Sequence, residues 1–164
     1  MTLLQVADIV EDSIVDGPGL RLTVFVQGCV HNCPSCHNQQ THDPKGGKAI
    51  KISAIQDMLM DNPMQSGLTI SGGEPLLQAN QLIELCHFAK ENKKNVWLYT
   101  GYTWEEIQTM NDPSINMLLN HVDVLVDGRF ILSQRDLNLL FRGSKNQRLI
   151  DVNKSLSTKE IVLI

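Results

Sequence analysis

The chain has 164 residues, 42% of them hydrophobic and 20% charged, which is enough for one compact domain with a real core and too little for two ordinary ones. Eighteen acidic against fourteen basic residues leave a net charge of −4, which argues against a broad phosphate-binding face and so against nucleic acid as a partner. Met1 to Gly17 carry no basic start followed by an apolar run, and nowhere do about 18 apolar residues follow one another; the expectation is one domain over 1–164, soluble, cytoplasmic and without a membrane span.

In chain order, Leu20 to Gly28 is apolar and β-branched and stops at a glycine, so it reads as a buried strand with a cysteine-rich loop at its C-terminal end. Ile52 to Asn62 has apolar residues at helical intervals, with Ser53 as its N-cap. Gly67 to Gly73 reads as a second strand. Glu74 to Lys94 follows as a helix with proline in its first turn and lysines at its end. Asn95 to Tyr102 is a strand, Thr103 to Met110 a helix opened by Thr103 with acids in its first turn, and Val122 to Phe130 another strand. Arg148 to Val152 and Glu160 to Ile164 look like short strands. Alternating strand and helix predict an α/β fold with a mainly parallel sheet, either a partial, open (βα) barrel or a small doubly wound sheet, with the chemistry at the strands' C-terminal ends.

Three of the four cysteines, Cys29, Cys33 and Cys36, fall within eight residues, and Cys86 stands alone fifty residues later. That is not a staple pattern, and without a secretion signal clustered thiols point to metal or redox chemistry. Asn32 and Pro34 make the segment an irregular loop able to wrap one centre. Zinc, completed by His31, His37 or His42, and a 4Fe-4S cluster with one iron left open both satisfy the spacing. Cys86 lies in a helical apolar pattern and reads as core. Thr69 to Pro75 puts two glycines at a strand end and an acid-proline pair at a helix start. Bare backbone there lets a ligand come close, and free N–H groups can receive a carboxylate.

Cys29, Cys33 and Cys36 taken with Ser71-Gly72-Gly73-Glu74-Pro75 closely resemble the radical S-adenosylmethionine superfamily. The resemblance implies a 4Fe-4S cluster on the three cysteines, S-adenosylmethionine on the fourth iron through its amino and carboxylate groups, and a full or partial (βα) barrel. Val15 to Arg21, the loop from Gly28 to Asn38, Tyr99 to Glu106, Asp123 to Phe130 and Phe141 to Val152 narrow it to the glycyl-radical activases that serve anaerobic ribonucleotide reductase, over roughly residues 12 to 152. The C-H-N and D-G-P-G stretches also resemble the longer activase of pyruvate formate-lyase. That relative has D-T-N-G where this chain has Tyr99-Thr100-Gly101-Tyr102, so the Asp that helps hold a cation there is absent.

What this implies is reductive cleavage of S-adenosylmethionine, and hydrogen abstraction from a backbone glycine of the reductase's large subunit, with a low-potential donor such as flavodoxin. Gly72, Gly73 and Glu74 would grip the methionyl end, Glu74 accepting from the ammonium, and Thr100 and Gly101 would contact ribose or carboxylate. Ser35 stands where many members carry an aromatic residue, so contacts from Ser35, Cys36 and His37 would be through backbone. Asp16, Gly17, Pro18 and Gly19 would shape the opening for the partner's glycine loop. Asp127 reads as a turn or as a site wall, Arg142 and Arg148 as partner contacts or solvated, and Trp97 and Trp104 as packing. A zinc-stabilised, non-catalytic binding module is the alternative.

Overall fold

A computed structural model describes residues 2–36 and 39–164. Its strands form one open seven-stranded sheet. They are β1 (Leu3–Ser13), β2 (Arg21–Val26), β3 (Lys48–Lys51), β4 (Gly67–Gly72), β5 (Asn95–Tyr99), β6 (Val124–Asp127) and β7 (Arg148–Asp151), in the order β3-β1-β2-β4-β5-β6-β7. The middle strands β2, β4, β5 and β6 are parallel, as the strand-helix alternation predicts. Antiparallel strands lie at both flanks: β1 and β3 beside β2, neither of them expected, and β7 beside β6, where a short strand was expected.

The helices are α1 (Ile52–Asp61), α2 (Ala79–Glu91), α3 (Trp104–Met110), α4 (Pro113–Leu119) and α5 (Val152–Thr158). In α2, Leu82, Leu85, Cys86 and Ala89 recur at helical spacing and all are buried. They meet one face of the sheet, built from Leu22, Val24 and Val26 on β2, Leu68 and Ile70 on β4, and Val96 and Leu98 on β5. Each such side chain contributes about 1.5–3 kcal/mol by leaving water. Cys86 is fully buried, as its helical position predicts, and burial pushes its thiol up to about 12. Among the described residues no helix is long and apolar enough to cross a membrane.

Several boundaries differ from expectation for local reasons. The cap position of α1 is Lys51, not Ser53; Thr2 O accepts the Ile52 N–H, and no side chain caps the helix. The segment after Gly73 opens as a short 3₁₀ turn, Pro75–Gln78, with Glu74 accepting from the Leu76 N–H, before α2 begins. Thr103 caps α3 as expected, in a reciprocal capping box with Glu106. Helix α4 was not expected, although its start carries a clear signal: Asp112 accepts from Ser114 and Ile115 N–H ahead of Pro113. The end of the chain contributes only an isolated bridge, Ile150 to Leu163, rather than a strand.

Candidate functional site

The C-terminal ends of the four parallel strands deliver four loops to one side: Gln27 to Cys36 after β2, Gly72 and Gly73 at β4, Thr100 and Gly101 after β5, and Gly128 to Phe130 after β6. Between them lies a cavity of about 460 Å³ lined by Cys29, Cys33, Cys36, Gly72, Gly73, Thr100 and Gly101, with Asp16 and Arg129 on its walls. Its floor is the second face of the sheet, where Phe25 and Ser71 sit side by side. A neighbouring cavity of about 750 Å³ shares His31, Cys33 and Arg129 with it.

The cysteine loop has no regular secondary structure and turns through left-handed backbone at Asn32 (φ 50°) and Ser35 (φ 58°). It is pinned at its base, where Gly28 and Cys29 N–H donate to Thr41 and His42 carbonyls. Burial raises the Cys29 thiol, against the lowering effect of the His31 backbone N–H, and the Glu74 carboxylate and the other two sulfurs raise it further. Cys33 is raised by burial, partly offset by the Phe130 N–H and the Arg129 guanidinium. No closed group of three or more His, Cys, Asp or Glu in a metal arrangement occurs among the described residues. What the loop presents is three half-buried thiols around one cavity. By the chemistry of the donor set, three thiols on one irregular loop suit a 4Fe-4S cluster.

The glycine turn is constrained by the fold itself. A Cβ on Gly72 (φ +107°) would strike the backbone of Val26, and one on Gly73 would strike the Gly28 carbonyl. The N–H groups expected to be free for a ligand are already engaged: Gly73 donates to Val26 O and Glu74 to Gly28 O. Glu74 itself is inaccessible to solvent. Its carboxylate accepts from His31, from the Thr100 hydroxyl, and from the N–H groups of Gly101 and Leu76.

Of the remaining expected residues, Asp16 reaches the cavity and accepts from the Ser13 hydroxyl. Gly17, Pro18 and Gly19 belong to the turn at the opposite end of β2, where Gly17 packs on Arg21 and Gly19 on Ser66. Ser35 is exposed and outside the cavity lining, and His37 lies outside the described residues. Asp127 is buried and holds Trp104 N–H and Arg148, so it braces α3 against β7. Arg148 also pairs with Glu105, and Arg142 lines the cavity while donating to Gln147 O. Trp97 and Trp104 are packed, as expected.

Arginine is ordinarily exposed, so the sequence gives no signal for the role of Arg21. It is fully buried, donating to Thr69 Oγ1, Pro18 O, Leu68 O and Asn95 O beneath the Trp97 ring, and burial lowers its pKa to about 10. It thus clamps the D-G-P-G turn to the sheet. Arg129 and Phe130 were also passed over; their position directly after a strand end was the available signal.

Residues 15–150 match the family described as a 4Fe-4S single cluster domain. The anaerobic ribonucleoside-triphosphate reductase-activating protein of Vibrio cholerae serotype O1 is 41% identical over 142 residues, covering 82% of this chain and 89% of that one. The proteins of the same name from Escherichia coli K12 (35% identical, 82% of this chain, 90% of that one) and Enterobacteria phage T4 (34% identical, 82% and 86%) are also similar. Among solved structures, QueE from Escherichia coli superposes with a TM-score of 0.52 at 11% identity, over 76% of this chain and 71% of that one, a likeness of fold alone. Cysteine spacing, glycine turn and similarity over most of the chain agree: the chain belongs to the family of anaerobic ribonucleoside-triphosphate reductase-activating proteins, built on a 4Fe-4S single cluster domain.

Proposed function

We propose that the protein is a radical S-adenosylmethionine enzyme that activates an anaerobic ribonucleotide reductase. When bound, the cluster and S-adenosylmethionine supply one-electron cleavage of the sulfonium S–C5′ bond to methionine and a 5′-deoxyadenosyl radical, which takes a hydrogen atom from a backbone glycine of the reductase's large subunit. The observation that carries this reading is the convergence of three thiols, the glycine turn and the Thr100-Gly101 turn on one cavity at the ends of parallel strands.

In this reading Cys29, Cys33 and Cys36 would hold the cluster, with the cosubstrate bound beside it. Gly72, Gly73, Thr100 and Gly101 bound the space for its methionyl and ribosyl parts, with Cys36 lining the same cavity. Phe25, Tyr99 and Phe141 wall the cavity with aromatic surface and keep competing hydrogen donors and water away. Val15 and Leu137 line the same cavity while staying 69% and 81% exposed, which suits a mouth that receives polypeptide. A partial barrel of the radical S-adenosylmethionine type, a cytoplasmic location and a low-potential donor such as flavodoxin belong to the same proposal.

Anaerobic reconstitution with iron and sulfide tests it. Wild type is expected to bind about four irons and cleave S-adenosylmethionine under a low-potential reductant. Cys33→Ala is expected to do neither. Tight zinc binding without cleavage would return the chain to a zinc-stabilised binding module. Electron spin resonance of candidate partners then separates activases: a glycyl radical on the reductase supports the proposal, and one on formate-lyase alone contradicts it.

A further inference from the structure

A carboxylate sealed from water must find donors for both oxygens, because an unpaired buried charge is far too costly. Glu74 finds them in three loops. Within its own turn Leu76 N–H donates to Oε2 at 2.9 Å. From the turn after β5, Thr100 Oγ1 lies 2.9 Å from each oxygen and Gly101 N–H donates to Oε1 at 2.8 Å. From the cysteine loop, His31 Nε2 lies 2.5 Å from Oε1 with its side chain only 4% exposed. A carboxylate offers about four lone-pair sites, so these donors leave no acceptor for a ligand ammonium.

His31 also faces the other way, for its backbone N–H is directed at the Cys29 sulfur. One residue therefore touches a thiol of the loop and the carboxylate of the glycine turn. The surroundings are shaped to keep it there. Any Cβ at Gly101 would collide with the His31 ring, and Tyr102 packs edge-on against it at 4.5 Å between centroids.

Building on the proposed function, we propose that His31 and Glu74 form a buried brace that sets the cysteine loop in register with the glycine turn. His31 is then a positioning residue rather than a metal ligand, and Glu74 holds loops rather than the ammonium of S-adenosylmethionine.

The test uses the full chain with His31→Ala, His31→Gln, Glu74→Gln and the His31→Ala/Glu74→Gln double variant. In metal-free protein, denaturant unfolding is expected to show coupling, the double variant being little worse than the poorer single one. After anaerobic reconstitution, His31→Ala is expected to keep wild-type iron while its affinity for S-adenosylmethionine, measured by equilibrium dialysis, falls at least about tenfold. His31→Gln, whose amide can still donate to Glu74, is expected to recover much of that loss. Additive unfolding effects, unchanged affinity in His31→Ala, or loss of iron from it would each overturn the brace. Should His31→Ala fail to fold, His31→Gln and Glu74→Gln decide by the same dialysis: both keep wild-type iron, the former binding near wild type and the latter weakened. Wild type that neither binds iron nor cleaves S-adenosylmethionine sinks the proposed function instead, while the metal-free coupling is still read on its own.

Discussion

The two faces of the sheet are built differently although they share the same backbone. One face carries Leu22, Val24, Leu68, Ile70 and Leu98 against the helices, all fully buried and without a polar atom in their side chains. The other sets Arg21, Thr23, Thr69 and Ser71 among Phe25, Trp97 and Tyr99, also mostly buried, and leads to the cavity. Burial on the first face stabilises wherever the shapes fit. On the second each polar group stabilises only if it is partnered, so this face must be specified bond by bond. The site therefore sits on the face whose geometry is the more exactingly determined.

That contrast can be broken first at its rim. Cys29→Ala is expected to abolish iron binding and S-adenosylmethionine cleavage, while the metal-free protein changes by less than about 1 kcal/mol in denaturant unfolding, because the thiol is only half buried. On the apolar face the effect inverts. Ile70→Ala should cost about 3 kcal/mol in unfolding, through lost transfer energy and a cavity, with iron content per folded chain unchanged.

The polar face offers a sharper pair, since Thr23 and Thr69 are neighbours in register. The Thr69 hydroxyl accepts from Arg21 and donates to Asp16 O, so Thr69→Val should destabilise by about 2 kcal/mol by orphaning a buried guanidinium N–H and a carbonyl. Thr23 Oγ1 is buried without a hydrogen-bond partner among the described residues. Thr23→Val should therefore be neutral or stabilise by up to about 1 kcal/mol, the same substitution with the opposite sign, read by the same unfolding experiment.

Much of this is legible in the sequence. The middle strands and α2 follow from their apolar runs, and Thr103 with Glu106 announced the start of α3. Strand β1 escaped because only Leu4 and Val6 keep the inward alternation before Asp8, Glu11 and Asp12 and two register shifts interrupt it. Its stability comes from pairing with β2, which no local window reports. Within the site, the cysteine triad and glycine turn were visible as motifs, whereas a second demand on the glycines was not. They are required by backbone approach to β2, and the turn's N–H groups are consumed by that packing.

By itself the sequence determined the donor chemistry, the strand-to-loop order and the family, because these reside in residue types at short fixed spacings. Only the tertiary structure decided that Glu74 turns inward to His31, 43 positions away, and that Arg21 lies beneath the sheet with Asn95, 74 positions away. Both are consequences of sealing a charge from water, where the partner is whichever donor or acceptor the fold brings within reach.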